Sequence, residues 1–100
     1  MKLGILVNTD KHADDVVGIT KAAASKDHEV SIFMMDTGVK LIGNASIRDL
    51  CSIPNVKVCY CDHSAGILDV SKEGVPDAIV CGSQFDNANM NNEADRVIVL

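Results

Sequence analysis

Residues 56–64 have the sequence VKVCYCDHS, in which a short apolar segment, Val56 to Tyr60, is followed by Cys61 and then by polar residues. The apolar part predicts a β-strand, and Asp62, His63 and Ser64 predict the start of a helix. Four other segments are equally rich in Val, Ile and Leu: Lys2 to Val7, Glu29 to Met34, Ala78 to Cys81 and Arg96 to Leu100. Each of these also predicts a strand.

The five predicted strands do not alternate strictly between apolar and polar residues. This is typical of strands that are covered on both faces, and the segments between them are long enough for crossover helices. We therefore predict an α/β fold, a three-layer α/β/α arrangement with a five-stranded, mostly parallel sheet. With 100 residues, the chain is expected to form a single domain, residues 1–100.

The connecting segments contain helix signals. Asp10 is predicted to cap a first helix that ends near Asp27. In the second connection, Ser46 with Asp49 predicts a capping box, and two short helices are expected. The third helix is predicted to run from about Ser64 to Glu73.

Right-handed crossovers place every strand-to-helix turn at the same edge of the sheet. Four turns should meet there, at residues 8–12, 35–39, 61–64 and 81–84. In an open parallel sheet, this edge is where ligands bind. The functional site is therefore expected among these turns.

The composition excludes several function classes. The net charge is −5, with 9 Lys and Arg against 14 Asp and Glu, so a nucleic-acid partner is not expected. The apolar segment Leu3 to Val7 is too short for a signal-peptide core or a membrane span, so a cytoplasmic protein with no membrane partner is predicted. In the cytoplasm the four cysteines are expected to be free thiols. Neither a dinucleotide-binding glycine motif nor a P-loop follows a strand, and no cofactor is predicted.

Cys61 is the most reactive position that the sequence predicts. A thiol at the start of a helix is close to unpaired N–H groups, which favour the thiolate, and a partly exposed thiolate points to sulfur or redox chemistry. The alternative is that Cys61 ends the strand as a small apolar residue, as free cysteines often do. Position alone does not decide between the two.

The ordered motifs of the chain resemble the DsrE/DsrF-like family of small sulfur-relay proteins, related to TusB, TusC and TusD. They are Leu6-Val7-Asn8-Thr9-Asp10, His28-Glu29-Val30 leading to Met34-Met35-Asp36-Thr37-Gly38-Val39, the cysteine after the third strand, and Ala94-Asp95-Arg96-Val97-Ile98. The resemblance implies a flavodoxin-like α/β fold and a homotrimer or homohexamer. It also implies that Cys61 holds sulfur as a persulfide for a partner protein.

The residues after Cys61 depart from this family pattern. Asp62 to Ile67 differ from the small, Arg-containing helix start of the TusD branch. Some family members, such as TusC, lack the working cysteine. The resemblance therefore leaves two functions open, a persulfide carrier with sulfur donor and acceptor proteins as partners, and a noncatalytic subunit or small-ligand binding module.

Other residues at the same edge are further candidates. Cys81 is the second candidate thiol, although burial at the strand tip is favoured, and His63 is either a proton carrier or an exposed helix-start residue. Four residues are predicted to contact substrate: Asp10, His12, Gly82 and Ser83.

The remaining candidates have simpler explanations. Cys51 and Cys59 are expected to be buried. Cys59, Cys61, His63 and Cys81 are soft metal ligands, but two thiols of a Cys-x-Cys strand diverge, so no metal is predicted. The Asn-rich tract 87–92 is expected to be a solvated surface.

Overall fold

The computed structural model describes all residues from 1 to 100. The five strands are β1 (Lys2–Val7), β2 (Glu29–Met34), β3 (Val56–Cys61), β4 (Ile79–Gly82) and β5 (Arg96–Val99). The α-helices are α1 (Ala13–Ser25), α2 (Ala45–Asp49), α3 (Asp62–Ile67) and α4 (Gln84–Glu93), and two 3-10 segments, Asp36–Gly43 and Leu50–Ser52, flank α2. All five predicted strands are present, with their ends within one residue of the prediction.

The strands form one fully parallel sheet in the order β4-β3-β2-β1-β5. The predicted fold class, an α/β domain with a five-stranded parallel sheet between helices, is confirmed. The first three crossovers all step in one direction, from β1 to β4. The connection through α4 then returns across the whole sheet to place β5 beside β1.

This reversal distributes the helices unequally. Right-handed crossovers that step in opposite directions lie on opposite faces of the sheet. The main core lies on the first face, where Val16 of α1 and Ile47 of α2 pack against strand residues such as Ile5 and Val58. On the other face, α4 contributes the buried Met90 to a small cluster with Phe33 and Cys61. The second face is thus covered by one helix only.

Two predicted helix caps are wrong. Asp10 does not cap α1, because the helix begins at Ala13 with His12 in the cap position. The cap of α2 is Asn44, whose side-chain oxygen accepts hydrogen bonds from the N–H groups of Ser46 and Ile47 at 2.9 and 3.2 Å. Asparagine fills this role as well as serine, and it comes first in the chain.

The third helix is shorter than predicted. It ends at Ile67, and Asp69 adopts a left-handed backbone with φ 52°. The Arg48 side chain then donates hydrogen bonds to the carbonyl oxygens of Glu73 and Gly74 at 2.9 and 3.1 Å, which fixes the following loop in a nonhelical path. No helix has both the length and the apolar composition needed to cross a membrane.

Candidate functional site

An open groove lies at the carboxyl-terminal edge of the sheet, above β2, β3 and β4. Because these strands are parallel, the loops that follow them meet there. Eleven residues line the groove: Met35, Asp36, Cys61, Asp62, His63, Ser64, Cys81, Gly82, Ser83, Gln84 and Asp86. Five of the seven predicted site residues are therefore brought together.

Cys61 lies at the base of this groove. It is the last residue of β3 and the cap residue of α3, as the sequence predicts. Its side chain packs with Phe33 and Met90 and is only 2% exposed, so the expected partial exposure is wrong. The reason is the alternation of the strand, which directs Cys61 under α4 rather than into solvent.

The surroundings of Cys61 favour its thiolate despite this burial. Burial alone raises the pKa of the Cys61 thiol, but the hydroxyl and N–H of Ser64, the Gln84 amide and the His63 N–H outweigh it and bring the pKa below the usual value. The thiol sulfur makes no cap hydrogen bond of normal geometry with the first turn of α3. These donors nevertheless lie close enough to stabilise a negative charge on the sulfur.

Ser64 is held in place from the other side. Its hydroxyl oxygen accepts a hydrogen bond from the Asp36 N–H at 3.2 Å, and Ser64 is only 9% exposed. A hydroxyl oxygen that accepts in this way keeps its own proton free to donate. The Ser64 hydroxyl proton is therefore available to the Cys61 sulfur.

Cys59 lies on the same face as Cys61 and behaves in the opposite way. Burial, with the negative charge of Asp86 as the next cause, raises the pKa of Cys59 to about 11. Cys59 is half-buried and packs against the small cluster that contains Cys61. It is therefore a neutral thiol under ordinary conditions. Cys51, which was expected to be buried, is half-buried and packs against the main core.

Cys81 is exposed, and its predicted burial at the strand tip is wrong. In the register of the sheet it pairs with Tyr60, so its side chain lies on the opposite face from Cys61. Burial and a hydrogen bond with Cys81 raise the pKa of Tyr60 well above its usual value. Cys81 is exposed because β4 is an edge strand.

An ion pair borders the groove near Cys81. The Lys72 ammonium donates a hydrogen bond to the Asp62 carboxylate, and both side chains are exposed. This contact lowers the pKa of Asp62 and raises that of Lys72. Because water screens both charges, the pair adds little to stability. Its effect is to leave Asp62 ionised and its charge partly balanced.

The other predicted site residues are placed as follows. His63 is exposed on the first turn of α3. Asp10 and His12 lie outside the groove because β2 separates β1 from β3, and His12 contacts Asp15 on its own helix at 3.6 Å. Their contact with a substrate remains a prediction.

Gly82 and Ser83 shape the beginning of α4. A Cβ at Gly82 would overlap the Asp86 carboxylate and lie 2.6 Å from the Cys59 sulfur. Ser83 caps α4, with its hydroxyl accepting from the Phe85 N–H at 3.2 Å while its own N–H donates to Asp86 at 2.8 Å. The absent side chain of Gly82 thus makes room for the capping box.

Six of the eleven groove residues were not among the site residues predicted from the sequence, and three of these six bear on the thiol: Asp36, Ser64 and Gln84. Ser64 and Gln84 begin two different helices, and their approach to Cys61 depends on how α4 crosses the sheet. The sequence signal that could have found these three residues is their place in the turns that follow β2, β3 and β4. No group of three or more His, Cys, Asp or Glu side chains is arranged to hold a metal ion.

The fold has a counterpart among solved structures. The crystal structure of the ychN protein from E. coli matches with a TM-score of 0.70 at 15% sequence identity, covering 99% of this chain and 97% of that one. No protein-family model matches the sequence, and no curated protein matches it. The structural likeness establishes a shared α/β fold over nearly the whole length of both chains.

Proposed function

We propose that this chain is a small sulfur-relay protein of the DsrE/DsrF-like kind, which holds sulfane sulfur as a persulfide on Cys61 and passes it to a partner thiol. The observation that carries the proposal is the thiol of Cys61 at the base of an open groove, with donors around it that lower its pKa. The thiolate is the nucleophile in sulfur exchange, so these donors favour the reactive form.

The proposed transfer has two balanced steps. In the first, the Cys61 thiolate attacks the outer sulfur of a donor persulfide, a new S–S bond forms, the old one breaks, and the donor leaves as a thiolate. In the second, an acceptor thiolate attacks the outer sulfur on Cys61, and Cys61 leaves as a thiolate. No external oxidant or reductant is consumed. The donors around Cys61 favour it both as nucleophile and as leaving group.

His63 and Cys81 have secondary roles in this proposal. His63 is exposed at the groove, where an imidazole can exchange a proton with an incoming thiol near neutral pH. Cys81 is the exposed thiol at the neighbouring strand end and is the second candidate to accept sulfur. Because its side chain is on the other face, a partner or a movement of the strand end is needed for exchange with Cys61.

The proposal includes assembly and partners. The partners are a sulfur donor and a sulfur acceptor protein, and the chain works in the cytoplasm as a homotrimer or homohexamer. Exposed apolar residues on the face covered only by α4 support assembly: Val80, Phe85, Val97 and Val99. Phe85, at the start of α4, is the most exposed of the four at 72%. Light scattering at micromolar concentration tests this part, and a monomer would contradict it.

Mass spectrometry tests the main proposal directly. The protein is incubated with a sulfane-sulfur donor, and the peptide containing Cys61 is examined for the addition of one sulfur atom. Cys61→Ser should abolish this addition, and Cys81→Ser, the matched control at the neighbouring strand end, should retain it. Loading that persists in Cys61→Ser and is lost in Cys81→Ser would move the role to Cys81.

A noncatalytic subunit or small-ligand binding module of the same fold is the alternative. The burial of Cys61 favours it, because a 2% exposed sulfur has little access to a bulky donor. The same experiment separates the two functions. A wild-type protein that takes up no sulfur, alone or with a donor protein, would support the alternative.

A further inference from the structure

Side-chain amides form a hydrogen-bonded chain along α4. The Asn91 amide nitrogen donates to the Asn87 side-chain oxygen at 2.9 Å, and the Asn87 amide nitrogen donates to the Gln84 side-chain oxygen at 3.0 Å. The three residues are spaced by three and four positions and so lie on one side of the helix. Each bond fixes which end of the next amide is oxygen and which is nitrogen.

This chain determines the direction of the Gln84 amide. Its oxygen is occupied by Asn87, so its nitrogen, with two N–H donors, is directed to the groove. It lies 3.8 Å from the Met35 thioether and close enough to Cys61 to stabilise the thiolate. A thioether is a weak acceptor, so Gln84 retains donor capacity for an anion in the groove.

An outer sulfur on Cys61 would extend toward this donor. An S–S bond is about 2.05 Å long, so the added atom lies beyond the Cys61 sulfur, and the groove that Cys61 lines is the open space beside it. Ser64 is on the α3 side of Cys61, and Gln84 is on the α4 side. Both helices thus supply donors to the Cys61 sulfur.

We propose that Gln84 binds the outer sulfur of the persulfide on Cys61, and that Asn87 and Asn91 are positioning residues that hold the Gln84 amide in the donating direction. This inference rests on the proposed sulfur-relay function and assigns a role to the Asn-rich tract. The other explanation is structural, since amide pairs at this spacing also stabilise a helix. The two explanations differ in what they expect of a carboxylate at position 84.

The test is a loading equilibrium with variants at position 84. Wild type and variants are equilibrated with a fixed ratio of cysteine persulfide to cysteine, and the loaded fraction of Cys61 is read by peptide mass. The pH is kept low enough that unloaded Cys61 is a neutral thiol, so the Gln84 donors act on the anionic persulfide and not on the unloaded sulfur. Gln84→Leu removes these donors and should lower the ratio of loaded to unloaded Cys61 about tenfold, as expected for a hydrogen bond to a charged group. Gln84→Glu should lower it further, because a carboxylate repels the anionic sulfur.

The melting temperature separates a role in binding sulfur from a purely structural role of the amide chain. A carboxylate in the first turn of a helix is favourable, so Gln84→Glu should keep the melting temperature of the wild type while it loses loading. Asn87→Ala should reduce loading in the same direction by a smaller factor. Asn92→Ala is the matched control, since this exposed residue lies outside the amide chain.

The outcomes are distinguishable. Equal loading of wild type and Gln84→Leu overturns the role of Gln84 and leaves the relay function intact. Loss in Gln84→Leu with wild-type loading in Asn87→Ala overturns the positioning role of the amide chain. A wild-type protein that never loads overturns the relay function and this inference together.

Discussion

Replacing Ser64 by alanine should slow the reaction of Cys61 at neutral pH. The change removes the hydroxyl that donates to the thiolate and keeps the backbone N–H. A hydrogen bond to a charged group contributes about 1.5–3 kcal/mol, and about 1.36 kcal/mol corresponds to a tenfold change in ionisation. The thiolate fraction at pH 7 should therefore fall roughly tenfold to a hundredfold.

The assay is the rate of alkylation of Cys61 by iodoacetamide as a function of pH, read by peptide mass. Cys61 is buried, so a change in access alters the plateau of the profile, whereas the loss of a donor moves its midpoint to higher pH. The Asp36 N–H also loses its acceptor in Ser64→Ala. Because Asp36 is exposed, water can replace that bond, and the loss of stability should be about 1 kcal/mol.

Ser64→Thr is the matched control for this prediction. It keeps the hydroxyl and should keep the midpoint of the wild type, even if the added methyl group slows access. Superimposable midpoints for Ser64→Ala and wild type would refute the argument that the Ser64 hydroxyl stabilises the thiolate. A shift in Ser64→Thr as large as that in Ser64→Ala would refute it as well.

Three further predictions follow from charges and contacts at the groove. Asp36→Asn removes a groove carboxylate, and Asn tolerates the left-handed backbone at this position (φ 49°). Because the carboxylate repels an anion, the substitution should speed the loading of Cys61 by thiosulfate at low salt by at most about fivefold, and it should not change loading by a neutral donor. The free energy of unfolding should fall as pH rises from 9.0 to about 11, because the unfolded chain loses the Cys59 proton before the folded one does. In denaturation experiments, Cys59→Ala should show a smaller loss of stability with pH, and Tyr60→Phe should reduce this pH dependence further. Gly82→Ala should lower the free energy of unfolding, measured by urea denaturation, by about 1–3 kcal/mol through overlap with the capping box of α4, whereas Gly43→Ala, with open space around it, should not.

The sequence was sufficient for the strands and for the position of the main thiol. Runs of Val and Ile such as 29–34 and 56–60 have a strand preference that no helix signal opposes. Cys61 ends such a run and is followed by residues that begin a helix, and both features are local. The location of a helix cap was less well determined, because Asn44 and Ser46 are both good cap residues two positions apart.

Long-range topology determined what the sequence could not. Whether His12 faces Cys61 depends on whether β2 lies between β1 and β3, and strand order is not a local property. The burial of Cys61 depends on which face α4 covers, and this follows from the position of β5 beside β1. Ser64 and Gln84 are ordinary helix-start residues until both helices are placed around the same sulfur.

The two cysteines at the end of β3 show what makes Cys61 distinct. Cys59 and Cys61 are two residues apart, so their side chains are on the same face of the same strand, roughly 6.6 Å apart along it. Burial raises the pKa of either thiol, and for Cys59 it prevails, reinforced by Asp86. For Cys61 the donors of α3 and α4 reverse its effect. Neither the strand nor burial therefore accounts for the lowered pKa of Cys61, and the donors at the two helix starts do.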